Sequence, residues 1–188
     1  MKLIIINGLP GSGKSTLAKP LAKELSLPLI AKDAIKEFLF EQLGTADRAW
    51  SKTLGKASND FLYSLTEALL ADGRSLIVEN AFEKAFAAPR LQSIIEQYHP
   101  EVVEIYCATD PEIRKQRFID RNESGKRHPG HADHENYAAI TAPDVSIKYA
   151  PIGISTVMHI DTTSHVDIPA LARSVSTSAQ PSAAHDSR

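Results

Sequence analysis

At 188 residues the chain is long enough to bury a full core, and it is expected to form one domain. Its hydrophobic content of 43% and charged content of 23% are ordinary for a soluble globular protein. A formal net charge of −2 excludes a global basic field for nucleic acid, and no run approaches the ~18 apolar residues of a membrane span. The amino terminus enters a strand without the regions of a signal peptide, so a cytoplasmic location is expected. The single cysteine, Cys107, has no internal disulfide partner. It stands in an apolar run, which points to a buried strand residue in a reducing compartment.

Taken in chain order, Leu3-Ile4-Ile5-Ile6 is continuously apolar and branched, as in a parallel strand buried on both faces. Gly8-Leu9-Pro10-Gly11-Ser12-Gly13-Lys14-Ser15-Thr16 follows and fits G-x-x-x-x-G-K-[ST] at every fixed position. Residues 16–25 then predict a helix with Leu17, Leu21 and Leu25 on one face, and with Pro20 inside it as a source of a kink. Strand, glycine-rich loop and helix form the context that this motif requires. Its glycines let the backbone turn tightly and bring N–H groups to phosphate oxygens, and the helix start adds free N–H groups. Lys14 suits the β- and γ-phosphates, and the Ser15 hydroxyl suits Mg²⁺. A dinucleotide fingerprint fails, because its third glycine would fall on Thr16.

Residues 27–31 predict a second strand, and 33–43 a helix ended by Gly44. A long helix is expected over 48–72, with Trp50, Leu54, Ala57, Phe61, Leu65 and Ala68 as its apolar stripe. Residues 75–78 make a third strand that runs into Glu79-Asn80. Leu91, Ile94, Ile95 and Tyr98 mark a helix with Pro89 near its first turn, and 102–107 make a fourth strand. Thr109-Asp110-Pro111-Glu112 is a strong helix start. That helix carries Arg114, Arg117 and Arg121 toward a loop, 125–134, rich in glycine and histidine. A fifth strand is expected over 156–160 and a last helix over 168–175. The serine-, alanine- and proline-rich stretch 176–188 is expected to be a disordered tail.

Alternating strands and helices imply a parallel sheet between helical layers, with ligands beyond the carboxyl ends of the strands. Asp33, after strand two, is both a natural N-cap and a candidate general base for a substrate hydroxyl. Its neighbours Lys32 and Lys36 are expected to be solvated or to steer anions. Glu79, at the end of strand three, is a candidate Mg²⁺ acid, where the usual residue is aspartate. Asn80 suits substrate binding or capping of the next turn. Arg117 and Arg121 lie four apart on one helix face, and Arg127 stands in the following loop. This set suits charge stabilisation of a transferring phosphoryl group, with Arg127 swinging in on closure. His128, His131 and His134 with Asp133 lack cysteine partners and helical ligand spacing, so substrate contacts are expected there rather than zinc.

On these residues the sequence resembles the small P-loop kinases, in the group of zeta-toxin-like, chloramphenicol-phosphotransferase-like and polynucleotide-kinase-like domains with an AAA-type ATP-binding domain. The resemblance covers residues 1–163. It implies a three-layer α/β P-loop NTPase fold with a five-stranded parallel sheet in the order 2-3-1-4-5 and a mobile lid. Arg117 and Arg121 match the spacing of the lid-helix arginines of nucleotide and shikimate kinases, one stacking on adenine and the other reaching phosphate. The resemblance also implies that Asp161, Thr162 and Thr163 lie near adenine. The expected organisation is a kinase domain over 1–175, with its lid at about 122–140, and a tail over 176–188.

The function expected is ATP- and Mg²⁺-dependent phosphoryl transfer to a hydroxyl of a small molecule, with no nucleic acid or membrane partner. The acceptor is expected between the helix of Asp33 and the helix of 48–72, walled by Trp50, Phe61, Tyr63, Phe38 and Phe40. The alternatives are an ATPase or regulatory ATP-binding module without an acceptor, and a nucleic-acid 5′-hydroxyl kinase. The second needs a basic groove with stacking aromatics, against an aromatic content of 6%.

Overall fold

The structure is a computed structural model that describes residues 1–125, 127–131 and 145–178, the Asn122 side chain excepted. The branched run at the start forms β1 (Lys2–Asn7), and the glycine-rich loop leads into α1 (Lys14–Leu25). β2 (Leu29–Ala31), α2 (Lys32–Leu43), α3 (Arg48–Ala71) and β3 (Leu76–Glu79) follow. Then come α4 (Lys84–Tyr98), β4 (Glu101–Ala108) and α5 (Pro111–Glu123). A 3₁₀ turn (Pro129–His131), the short α6 (Val145–Lys148), β5 (Thr156–Asp161) and α7 (Ile168–Thr177) complete the described chain.

The five strands pair in parallel in the order β2-β3-β1-β4-β5. Side chains alternate across a strand, so β1 feeds two cores. Leu3 and Ile5 pack with Leu62 and Leu70 of α3 and Leu91 and Ile94 of α4. Ile4 and Ile6 pack with Leu17 and Leu21 of α1 and Leu171 and Val175 of α7. The pairing sets Ile6 opposite Glu79, and Glu79 opposite Ala31. The loop after β1, the start of α2 and Glu79-Asn80 therefore meet at one edge of the sheet. Cys107 is buried in β4, as expected, and burial pushes its thiol up to about 12.

Several local expectations need correction. α2 starts at Lys32 and its N-cap is Ala31, so Asp33 is not the cap. It stands in the first turn instead, where a carboxylate suits the helix dipole. Pro89 is the sixth residue of α4, in its second turn rather than its first. It and Pro20 are tolerated on solvent-exposed faces, where Thr16 and Ala85, whose carbonyls lose a partner, are exposed too. α7 reaches Thr177, so Ser176 and Thr177 belong to a helix, and 179–188 lie outside the described residues. Most of the lid expected at 122–140 also lies outside them.

The largest difference is the face α3 buries. Ser51, Leu54, Ser58, Leu62, Thr66 and Leu70 point inward, whereas Ala57, Phe61 and Ala68 are exposed. Small hydroxyl residues can line a buried face because their own helix satisfies them. Ser58 Oγ donates to the Leu54 carbonyl at 2.6 Å and Thr66 Oγ1 to the Leu62 carbonyl at 2.7 Å. Phe61→Ala should therefore change stability by less than about 0.5 kcal/mol. Its neighbour Leu62→Ala should cost about 2–5 kcal/mol. Urea denaturation of the two variants checks the rotation of α3.

Candidate active site

The phosphate loop is held from beneath by a buried carboxamide. Asn7 Oδ1 accepts from the Gly8 N–H at 2.7 Å and from the Phe82 N–H at 3.1 Å. Its Nδ2 donates to Glu104 Oε1 at 3.1 Å. Glu104, fully buried in β4, accepts from the N–H groups of Ile152 at 2.8 Å and Gly153 at 3.0 Å. One network thus joins the loop's start, the chain after β3 and the chain before β5. Neither residue figures among the sequence expectations. The signal was present, since Asn7 ends an apolar run and Glu104 interrupts one.

The far end of the loop is fixed by Thr162. Its buried hydroxyl lies 2.6 Å from the Ser12 carbonyl oxygen and 2.8 Å from that of Ala108. Gly8 has φ 142°, and a Cβ there would come within 2.6 Å of the Cys107 carbonyl oxygen. Gly13, in the left-handed region, starts α1 with no side-chain cap. The first helical bond is made by the Leu17 N–H to the Gly13 carbonyl at 3.0 Å. The N–H groups of Lys14, Ser15 and Thr16 thus precede it. Ser12 Oγ is buried and has no hydrogen-bond partner among the described residues. Lys14 Nζ donates back to the Leu9 carbonyl at 2.8 Å, and burial lowers its pKa against the pull of Glu79. A concave run of donors with a cation at its centre suits a phosphate chain.

Ser15 and Glu79, far apart in sequence, meet at this loop. The Ser15 hydroxyl donates to Glu79 Oε2 at 3.1 Å. Burial raises the Glu79 pKa, and Lys14 opposes the rise. A hydroxyl and a carboxylate beside a phosphate site are the oxygen donors that suit Mg²⁺.

The α5 arginines close the loop from above. Arg114 Nη1 donates to the Pro10 carbonyl at 3.3 Å. Arg117 donates through Nη1 to the Thr162 carbonyl at 2.8 Å and through Nη2 to the Thr163 carbonyl at 2.9 Å. Its Nη1 lies 3.6 Å from where a Gly13 Cβ would stand. Arg121 is close enough to lower the Lys14 pKa. The Asp161 side chain is exposed and accepts from the Thr163 N–H at 2.8 Å.

Asp33 is brought together with Arg127. Arg127 Nη1 donates to Asp33 Oδ2 at 2.8 Å and lies 3.6 Å from Glu37 Oε1. Lys32 Nζ donates to Asp33 Oδ1 at 3.1 Å. Burial works to raise the Asp33 pKa, but Lys32 and Arg127 outweigh it and hold the carboxyl well below the usual range. Lys36, expected to be solvated, is buried. It donates to Ser51 Oγ at 2.9 Å and lies 5.2 Å from the centre of the Phe40 ring.

The 3₁₀ turn covers this corner. Ser51 Oγ donates to the Gly130 carbonyl at 2.8 Å, and a Cβ on Gly130 would meet the Phe40 ring at 2.8 Å. His128 stacks on Phe40 with ring centres 5.1 Å apart. His131 Nε2 is 2.9 Å from Glu37 Oε1. His134 and Asp133 lie outside the described residues, and no metal-binding cluster occurs among those that are described. The expected aromatic walls are not assembled. Phe40 is beneath the turn, Phe38 and Phe61 are exposed, and the Trp50 indole donates to the Gly44 carbonyl at 3.0 Å.

The family model described as AAA domain (AAA_33) matches residues 3–142. The chain belongs to that family. It is similar to the crystal structure of a presumed kinase from Chloroflexus aurantiacus j-10-fl, with a TM-score of 0.83 and 32% identity over 95% of this chain and 98% of that one. A sugar kinase from Janibacter sp. HTCC2649 shares the fold, with a TM-score of 0.56, 17% identity, and 94% and 93% of the two chains covered. Cytidylate kinase of Ignicoccus hospitalis is 44% identical over 46 residues, which are 24% of this chain and 27% of that protein. This is a P-loop kinase-like domain, its sheet order is the one the resemblance implied, and no helix among the described residues is long and apolar enough to cross a membrane.

His131 gives the corner a pH dependence. Burial, then Arg127, pushes its imidazole down to about 3, against the pull of Asp33. The folded value is depressed, so below the unfolded value near 6.5 the unfolded chain takes the proton and stability falls. Between pH 7.5 and 5 the wild type should lose about 2 kcal/mol relative to His131→Gln, which keeps a donor and does not titrate. Denaturant melts of both proteins across that window check it.

Proposed function

We propose that the chain is a Mg-ATP-dependent phosphotransferase that acts on a hydroxyl of a small molecule. The observation that carries this reading is the meeting of Asp33 and Arg127 beside a phosphate loop that has its own Ser15–Glu79 oxygen pair. A nucleotide switch needs the loop and the Mg²⁺ donors but no carboxylate held ready for an acceptor.

In this reading the loop N–H groups and Lys14 hold the phosphate chain, and Ser15 with Glu79 holds Mg²⁺. When bound, Mg-ATP supplies the γ-phosphoryl group. The acceptor oxygen bonds to the γ-phosphorus as the bond to the β–γ bridging oxygen breaks, and ADP leaves with that electron pair. The hydroxyl proton goes to Asp33. In the pair with Arg127 this carboxylate is a weak base, so its first task is to orient the hydroxyl. Movement of Arg127 from Asp33 to the transferring group raises the basicity of Asp33 and puts a guanidinium where negative charge spreads. Arg117 and Arg121 bear on the donor side of the loop. A cytoplasmic kinase domain that runs to the end of α7 belongs to the same reading.

Two variants separate donor from acceptor. Lys14→Ala should weaken Mg-ATP binding and abolish turnover, because the phosphates lose their central point charge. Asp33→Asn should bind Mg-ATP as the wild type does while transfer falls by on the order of 10²–10⁴. Calorimetric titration with Mg-ATP and a phosphoryl-transfer assay over an alcohol panel read the two effects. Wild-type transfer by Asp33→Asn would remove the base assignment.

A further inference from the structure

Ser51, Gly55 and Asn59 stand four apart on one line of α3, opposite Asp33, Lys36, Glu37 and Phe40 of α2. Ser51 takes the Lys36 ammonium. Lys36 also lies against Gly55, where an added Cβ would be in ordinary contact with Nζ at 3.7 Å. Asn59 meets the end of β3, where Asn80 Nδ2 donates to Asn59 Oδ1 at 2.9 Å. The Pro129–His131 turn covers the outer end of this line, over Phe40 and Ser51. Asn80 closes the end nearest the sheet, one residue after Glu79.

The geometry points to the Asn59–Asn80 pair as an acceptor-reading element that selects a neutral polyol with two adjacent hydroxyls. Both residues are half-buried, and their bond to each other spends only part of their capacity. The Asn59 amide N–H₂ and the Asn80 carbonyl oxygen have no partner among the described residues. Turning both amides over exchanges the roles and leaves the same set, one donor beside one acceptor. Each hydroxyl of a vicinal diol both donates and accepts, so the diol satisfies that set.

Charge and shape narrow the class. Lys32 and Arg127 are matched by Asp33 and Glu37, so an anionic acceptor would have to break these pairs. Among the described residues, Phe38 and Phe61 are exposed and Phe40 is covered, so these three rings offer no enclosed face for a nucleobase or aryl group to stack on. This assignment rests on the phosphotransferase reading. Asp33 receives the reacting hydroxyl, and the amide pair holds two neighbouring hydroxyls of the same molecule.

The test assays the full chain with Mg-ATP against monosaccharides and cyclitols, their single-deoxy analogues, monohydroxylic alcohols, and a nucleoside monophosphate. A vicinal diol should be the preferred acceptor, and loss of one of its hydroxyls should cost at least about 100-fold in kcat/KM. Asn59→Ala and Asn80→Ala should each raise the acceptor KM about tenfold or more, with kcat within about threefold and ATP affinity unchanged. Alanine is a good helix former, so Asn59→Ala keeps α3, and a thermal melt beside each assay verifies the fold. Preference for a monohydroxylic alcohol or the nucleotide, or an unchanged KM in both variants, overturns the inference and leaves the kinase reading standing. ATP hydrolysis without transfer to any acceptor overturns both.

Discussion

A phosphate loop works only if its N–H groups are not spent on the protein, and an unbraced glycine-rich segment would collapse onto itself. Asn7 and Glu104 resolve this conflict from below. The carboxamide of Asn7 takes the Gly8 N–H and also the Phe82 N–H just beyond Glu79-Asn80. The loop and the strand end that carries Glu79 are therefore fixed to one rigid group. Glu104 extends the same brace to the chain entering β5. Groups buried this deeply are costly unless satisfied, and each bond removes that cost for its neighbour, so the network forms as a unit. Thr162 then holds the opposite side of the loop, at Ser12.

At the start of α2 the governing constraint is charge balance. Asp33 and Glu37 face Lys32 and Arg127 across a short distance, and the corner is roofed by a turn whose glycine lies flat on Phe40. Arg127 links the two halves of the site. Its guanidinium satisfies two carboxylates at rest, and it comes from the chain that follows the arginines of α5. Lys36 shows how completely the corner is enclosed, since it presents its ammonium to a serine and a ring face rather than to water.

The elements were legible where one physical requirement dominates. The apolar runs marked the strands, the motif marked the turn, and Asp110-Pro111 marked the start of α5, whose Asp110 caps Glu112 and Ile113 as expected. The resemblance to P-loop kinases supplied the sheet order, which periodicity did not. Legibility failed where a polar residue satisfies itself. Ser58 and Thr66 lie outside the predicted stripe of α3, yet each is buried against its own helix, and of that stripe Leu54 and Leu65 stay with the core while Ala57, Phe61 and Ala68 are exposed. Lys36 reads as solvated or anion-steering from its neighbours alone, since its partner, Ser51, is fifteen residues away on another helix. The pairings Ser15–Glu79, Asp33–Arg127 and Asn59–Asn80 are long-range contacts that no local pattern encodes.

Cys107 turns the brace into something that can be watched. It is the chain's only thiol, it is buried in β4, and its Cβ would be 3.2 Å from a side chain placed at Gly8. With its pKa pushed up to about 12, it is almost wholly unreactive toward alkylating reagents while the sheet is closed. Labelling then requires β4 to open beneath the phosphate loop, so the rate of modification is a clock for that opening. A ligand seated on the loop slows the clock in proportion to its hold on the folded state. The molecule thus carries its own occupancy gauge, one sulfur atom below the phosphate loop.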